Sequence, residues 1–296
     1  MHRTSQGDLW HWRQTAHQQA IAANIPPVEV DWLLQHLTGL DRLRLRLLSP
    51  GDPTVIDLKY SLYELDQRWH QRLNARTPVQ YLVGATPWRR FMLKVSPAVL
   101  IPRPETESII DLAIDAVQTH SELGYGHWAD LGTGSGAIAL GLADAFAEAM
   151  IHAVDYSPDA LAIARFNAQQ SGFSDRIRFY QGHWFEPLTQ LQGHLRGMVS
   201  NPPYIPSDMV AKLQPEVADH EPALALDGGA DGLDCIRYLV AEAPNYLVSG
   251  GVWLIEMMVG QAENVVNLLQ SQGCYRDVHI YPDLAGVDRF ALAYRV

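Results

Sequence analysis

Apolar and polar positions change rhythm twice along this chain. Over residues 8–75 the apolar positions recur at helical spacing. LWHWRQTAHQQAIAA reads as a first helix, Pro26-Pro27 breaks it, and VEVDWLLQHL resumes with Val30, Leu33, Leu34 and Leu37 on one face. Val55, Leu58, Leu62, Leu65 and Trp69 form a stripe that predicts a further helix around 54–74. Between 77 and 102 the pattern changes. Pro78, Gly84, Pro87, Pro97 and Pro102 punctuate short apolar pieces such as FMLKV and AVLI, which read as a hairpin linking two domains. Pro104 then stands where a first helical turn tolerates it, and ETESIIDLAIDAV continues as a helix.

From residue 127 strand-like and helix-like stretches alternate. HWADL, MIHAVD, RIRFYQ, GMVSN, VWLIEM and RFALAYRV are the strand candidates, and helical patterns over 136–148, 158–171, 233–247 and 260–271 separate most of them. Such alternation predicts an α/β fold with a mostly parallel sheet covered by helices on both faces. The tail CYRDVHIYPDLAGVDRFALAYRV joins two strand-like pieces through a loop too short for a crossover helix, so an antiparallel strand is expected near the C-terminus. The expected organisation is a helical bundle over 1–76, a β-hairpin linker over 77–102 and an α/β domain over 103–296.

Composition narrows the class of partner. Asp+Glu number 33 against Lys+Arg 22, a formal charge of −11. An acidic chain must gather its positive charge locally to hold nucleic acid. The one basic stretch, Arg42-Leu43-Arg44-Leu45-Arg46, is followed by acidic residues and reads as a solvated helix face. A protein or small-molecule substrate is therefore favoured over bare nucleic acid. No apolar run reaches the ~18 residues of a membrane span, and the start MHRTSQGDLWHWRQ lacks the apolar core of a secretory signal. Cys235 and Cys274 lie far apart and read as free thiols of a reducing cytosol. The scattered histidines show no paired-ligand spacing, so no metal site is expected.

The first chemical motif is Asp130-Leu131-Gly132-Thr133-Gly134-Ser135-Gly136, between a predicted strand and a predicted helix. Its glycines let backbone approach a ligand where a Cβ would collide, and the helix start offers free N–H groups. Asp155 ends the next strand, where a carboxylate takes hydrogen bonds from ribose hydroxyls. GTGSGA also fits the dinucleotide pattern G-x-G-x-x-G/A, so the loop alone leaves a nicotinamide cofactor and S-adenosylmethionine open. Asp130 favours the second: it would attract a cationic amino group and repel a pyrophosphate.

The second motif is Asn201-Pro202-Pro203-Tyr204, after the apolar strand GMVS. In an open parallel sheet the ligand crevice lies beyond the carboxyl ends of the strands, which puts this tetrapeptide beside the glycine loop. Two prolines make it rigid and rich in acceptors. A carboxamide nitrogen is a poor nucleophile because its lone pair is delocalised into the carbonyl. The Asn201 side-chain oxygen and the Pro202 carbonyl would bind both amide hydrogens, aim the nitrogen, and favour the charge that develops as it becomes tetrahedral. Tyr204 would stack on the planar amide. No strong base is needed, because the proton becomes acidic only after transfer.

With these motifs in hand the chain resembles the peptide chain release factor N(5)-glutamine methyltransferases of the HemK or PrmC type. The resemblance rests on TPVQYLVG at 77–84, LIPRPETE at 100–107, DLGTGSGAIAL at 130–140, AVDYSPDALAIARFNA at 153–168, VSNPPYIP at 199–206, EPALALDGGADGLD at 221–234 and DLAGVDRF at 283–290. NPPY is shared with DNA adenine and some ribosomal RNA methyltransferases; LIPRPETE with a helical N-terminal domain is more specific. The resemblance implies a class I (Rossmann-like) methyltransferase fold and an N-terminal substrate-recognition domain. It implies a cytoplasmic, monomeric enzyme that uses S-adenosyl-L-methionine to methylate the glutamine of the release factor Gly-Gly-Gln motif. Methylation of a ribosomal-protein glutamine, or of a base amino group, is the alternative.

The resemblance also implies residue roles. Asp130, Gly132, Thr133, Gly134, Ser135 and Gly136 would hold the methionine part of the cofactor and Asp155 its ribose, with Asn201 close by. Trp184 would lie near the adenine. Asn201, Pro202, Pro203 and Tyr204 would grip the glutamine, with Arg103 and Glu105 near the mouth. Two departures stand out. His183 occupies a position where the family commonly has an acidic residue, and a neutral imidazole offers the adenine amino group one acceptor nitrogen. Glu256-Met257-Met258-Val259-Gly260-Gln261 lacks the usual small residue after the glutamate, a change expected to alter packing.

Overall fold

The computed structural model describes residues 2–296. The chain divides between Gly84 and Ala85 into two compact units, and each has its own apolar core.

The first unit is mainly helical. Its elements are β1 (His2–Ser5), α1 (Gln6–Ala22), α2 (Val28–Thr38), α3 (Arg42–Leu47), β2 (Val55–Leu58), α4 (Leu62–Asn74) and α5 (Val79–Val83). Val30, Leu33, Leu34 and Leu37 of α2 are buried, as their spacing predicts, and Gly39 in the left-handed region ends the helix. The three arginines of α3 are exposed and only Leu45 of that helix is buried. The predicted helix around 54–74 needs correction at its start. Residues 55–58 form a strand paired antiparallel with residues 2–5, with Val55 opposite Ser5 and Leu58 opposite His2. The helix begins only after Ser61, whose side chain accepts from Glu64 N while the Glu64 carboxylate accepts from Ser61 N. This capping box satisfies two otherwise orphaned donors, and it fixes the boundary that apolar spacing alone misjudged.

The second unit opens with a hairpin of β3 (Ala85–Trp88) and β4 (Phe91–Lys94). It is shorter than the hairpin expected over 77–102. Residues 79–83 are helical, and AVLI at 98–101 is not a strand. Pro97 and Pro102 bracket that piece, and proline cannot donate to a ladder. A single 3₁₀ turn, Glu105–Glu107, leads into α6 (Ser108–Thr119).

There follow β5 (Tyr125–Leu131), α7 (Ala137–Ala145), β6 (Glu148–Asp155), α8 (Pro158–Gln170), β7 (Ile177–Gln181) and β8 (Leu195–Ser200). Two short helices, α9 (Ser207–Val210) and α10 (Pro215–Ala218), precede α11 (Asp234–Glu242), β9 (Leu247–Glu256), α12 (Ala262–Gln272), β10 (Tyr275–Pro282) and β11 (Asp288–Arg295). The last seven strands form one sheet in the order β10-β11-β9-β8-β5-β6-β7. It is parallel from β9 to β7, and β11 runs antiparallel to both of its neighbours. This is the mostly parallel sheet that the alternation predicted, with the antiparallel C-terminal strand expected from the short final loop.

Successive side chains of a strand point to opposite faces, and the two cores follow that rule. Val252 and Leu254 of β9 join Phe290, Leu292 and Tyr294 of β11 in one core with Ile109, Ile110 and Leu140. Trp253 and Ile255 join Ala291 and Ala293 in the other, with Ile236, Leu239 and Val265. Both faces are thus filled, and ligands are left the crevice beyond the strand ends. Strand order reverses between β5 and β8, which is where such crevices form.

Candidate active site

The crevice is built from the carboxyl ends of β5, β6, β7 and β8. After β5 the chain turns through Gly132 (φ +80°), Gly134 (φ +54°) and Gly136 (φ +83°) before α7 begins. Gly132 is required twice over. Its φ lies in the left-handed region, and a Cβ there would stand 3.2 Å from Cζ3 of Trp184.

Asp130 lies beneath this loop and off the crevice surface. It is completely buried. Its Oδ2 accepts from Thr133 Oγ1 at 2.6 Å and from Ala139 N at 2.9 Å, which clamps the loop to the first turn of α7. Its Oδ1 is buried and has no partner. Burial pushes this carboxyl up to about 7, against the pull of those two donors. From the other side Asn167 of α8 donates to Ser135 O at 2.8 Å and pairs with the backbone of Lys94, so the loop is fastened to the hairpin.

At the end of β6, Asp155 accepts from Gly134 N at 2.8 Å and from Ser157 N at 2.9 Å. Burial holds its carboxyl above the usual range in spite of those backbone donors. After β7 the backbone turns at Trp184, whose φ is +50°. His183 is exposed, and its ring lies 5.6 Å from that of Tyr238 and 5.8 Å from that of Trp184.

These pieces surround a cavity of about 500 Å³, a size common for small-ligand sites. Gly132, Gly134, Asp155, His183, Trp184, Asn201 and Pro203 line it. Thr133, Ser135 and Gly136 shape the loop from behind, as Asp130 does, and do not line the cavity; nor do Pro202 and Tyr204. Sequence reasoning missed the wall made by Pro222, Leu224, Ala225 and Asp227. These residues lie in EPALALD, whose apolar character carries no catalytic signature.

The tetrapeptide after β8 is held by a hydrogen-bond chain anchored on buried side chains. Asn201 Nδ2 donates to Thr106 Oγ1 at 3.4 Å, and Thr106 Oγ1 donates to Glu256 Oε2 at 2.7 Å. Tyr204 Oη donates to Glu256 Oε1 at 3.0 Å. Glu256, the last residue of β9, is completely buried, and its carboxyl is pushed up to about 7 by that burial. The Tyr204 phenol is pushed up too, by burial first and by Glu256 second. Gln261 Nε2 donates to Tyr204 O at 3.1 Å and to Gly232 O at 3.2 Å, which fixes the backbone just beyond. No described group donates to Asn201 Oδ1 or to the Pro202 carbonyl. Two acceptors therefore remain free at this end of the sheet.

Arg103 pairs with Glu221 at 2.9 Å, a carboxylate whose side chain is 1% exposed. The pair joins LIPRPETE to the cavity-wall segment.

The model of a methyltransferase domain family matches residues 127–272. A release factor glutamine methyltransferase from Synechocystis sp. is 52% identical over 286 residues, 95% of this chain and 94% of that one. Another, from Thermosynechococcus vestitus, is 47% identical over 96% of each chain.

The chain belongs to the release factor glutamine methyltransferase family.

Among solved structures, the hMettl16 catalytic domain in complex with MAT2A 3'UTR hairpin 6 shares the fold, with a TM-score of 0.55 at 14% identity over 82% of this chain and 84% of that one. In this release factor glutamine methyltransferase the buried supports escaped the sequence reading, Thr106, Asn167, Glu221 and Gln261 among them. Thr106, Asn167 and Glu221 lie inside the family motifs, but no spacing rule marks a residue whose partner is 118 positions away. Met257, after Glu256, is fully buried in the core, where an unbranched side chain fills irregular space. No helix among the described residues is long and apolar enough to cross a membrane.

Proposed function

We propose that this methyltransferase transfers a methyl group from S-adenosyl-L-methionine to the side-chain amide nitrogen of the glutamine in the Gly-Gly-Gln motif of peptide chain release factors. It does so as a monomer in the cytoplasm. The observation that carries the reading is the pair of free acceptors, Asn201 Oδ1 and the Pro202 carbonyl, on a rigid segment at the mouth of the cavity. A primary amide has two hydrogens to give, and two fixed acceptors orient its nitrogen. The names of the relatives supply the substrate.

The residues fit the cofactor. S-adenosylmethionine supplies an electrophilic methyl group on a sulfonium. The buried Asp130, with its Oδ1 unpartnered just behind the loop, places a negative charge that favours the cationic amino end across the loop. Gly132 and Gly134 present backbone to the methionine part, on a loop whose shape Thr133, Ser135 and Gly136 set from behind. Asp155 accepts from the ribose hydroxyls, giving up its hydrogen bond from Gly134 N or sharing it. His183 and Trp184, which line the cavity, border the adenine. Tyr204 stabilises the tetrapeptide through Glu256, and its ring stacks on the substrate amide. The helical first unit recognises the release factor.

The test is a competition. Purified enzyme, labelled S-adenosylmethionine, a release factor, ribosomal proteins and a DNA oligonucleotide are incubated together. The expected result is label in the release factor alone. Label in a ribosomal protein or in the DNA overturns the substrate assignment.

A further inference from the structure

Thr106 has one hydroxyl hydrogen and two lone pairs. Its Oγ1 lies 2.7 Å from Glu256 Oε2 and 3.4 Å from Asn201 Nδ2. An ionised carboxylate has no hydrogen to give, so the hydroxyl hydrogen goes to Glu256. Only lone pairs then face Asn201. The asparagine amide has a donor end and an acceptor end of nearly the same shape, and lone pairs select the donor end. Oδ1 is thereby turned the other way. A flipped Asn201 would present an NH₂ group to the substrate amide, donor against donor.

We propose that Thr106 and Glu256 are positioning residues that set the orientation of Asn201: Glu256 takes the Thr106 hydrogen, Thr106 holds Asn201 Nδ2, and Oδ1 is left facing the substrate amide. The inference rests on the proposed glutamine methylation. The arrangement is specific to these groups. Both Glu256 oxygens are occupied by hydroxyl donors, Thr106 on one and Tyr204 on the other. Glu256 is 0% exposed and Thr106 4%, so water does not compete. The charges facing Glu256 come from Glu105, beside Thr106, and from Arg289 on β11, which is itself paired with Asp283.

The direction of the relay depends on the charge of Glu256. A protonated Glu256 donates one hydrogen, so one of the two hydroxyls loses its acceptor. Thr106 is then free to turn its own hydrogen toward Asn201, and the selection is lost. The competent form is the ionised one, present above about pH 7. Turnover should therefore rise with pH through that region and level off above it.

The experiment compares full-length wild type, Thr106→Val, Thr106→Ala and Thr106→Ser. Each is assayed at a saturating release factor with S-adenosylmethionine varied, and kcat and the cofactor KM are measured across this pH range. Valine keeps the shape and removes the acceptor; serine keeps the hydroxyl. Expected is a kcat loss on the order of tenfold to a hundredfold in Thr106→Val, the size of effect seen when a hydrogen bond that orients a metal ligand is removed. The cofactor KM should be unchanged, activity should be restored in Thr106→Ser, and the pH step near 7 should vanish in Thr106→Val. Should Thr106→Val fail to fold, Thr106→Ala reads the same loss with less crowding. A Thr106→Val or Thr106→Ala enzyme with wild-type kcat overturns the inference, and so does a Thr106→Ser enzyme as slow as Thr106→Val. A wild type that transfers no methyl group to glutamine overturns the functional reading beneath it.

Discussion

Asp130 and Glu256 are carboxyls buried at the carboxyl ends of β5 and β9, two strands of one sheet with β8 between them, and both are pushed up to about 7. Their linkage has a definite sign. A raised folded-state value means that the stability tied to the proton is present below the unfolded value near ~4 and is lost as pH rises toward about 7. A cationic ligand reverses that preference at Asp130, because it binds the ionised form. S-adenosylmethionine affinity should therefore increase with pH up to about 7 and stay level beyond it. Asp130→Asn should bind more weakly above that pH and show a flat profile; calorimetric titration across the range reads both. Asn201→Ala should lower turnover by ~10²–10³, the usual cost of one oriented hydrogen bond at a reacting centre. Its cofactor affinity, measured by the same titration, should stay close to wild type. At this scale contiguous chemistry was legible in the sequence: the glycine loop, Asp155 and NPPY are short strings with a mechanism. Thr106 and Glu256 were not legible as a pair, because 150 residues separate them and only the fold brings them to 2.7 Å.

Among the elements, the segment 226–234 acts as a brace under the tetrapeptide. Gly232 has φ +76°, and a Cβ there would come within 2.2 Å of Tyr204 O. Gly232→Ala should displace Tyr204 and loosen Gln261. It is expected to lower stability by ~1–3 kcal/mol, the range for overpacking a tight site, and to reduce kcat more than cofactor affinity. Thermal melts and steady-state kinetics check the two parts. In the first unit Ser61→Ala should cost ~1 kcal/mol through loss of the α4 cap, visible in urea unfolding of that unit. The strands of the large sheet were legible as short apolar runs between helical stretches, because both of their faces are buried in the two cores. β2 was not, since Val55 and Leu58 are three apart and continue the α4 stripe by coincidence. The Ser61–Glu64 pair was the better guide to where that helix starts.

The molecule as a whole keeps its chemistry and its helical unit apart in sequence. Every residue lining the cavity lies after Gly84, and each unit buries its own core, Leu9 through Val79 in the first. Separate cores of this kind allow independent folding. Deletion of residues 1–84 should leave a folded, cofactor-binding fragment with poor activity on an intact release factor. Circular dichroism and titration test the first part, and methyl transfer to a release factor against a short Gly-Gly-Gln peptide tests the second. Equal activity on the intact release factor with and without the deletion would mean that the helical unit is not a recognition element. The fold class was legible at this scale because βα alternation and the short link between the last two strands leave few topologies. The placement of the hairpin was less so, since proline and glycine mark where strands stop and not which pieces pair.

The central claim is methylation of one particular nitrogen. Tandem mass spectrometry of a release factor after incubation with the enzyme and isotopically labelled S-adenosylmethionine tests it most directly. The account predicts one labelled methyl group on the side-chain nitrogen of the Gly-Gly-Gln glutamine, appearing ~10²–10³-fold more slowly when Asn201→Ala replaces the wild type. Label on any other residue, or a release factor left unmodified by active enzyme, would contradict it.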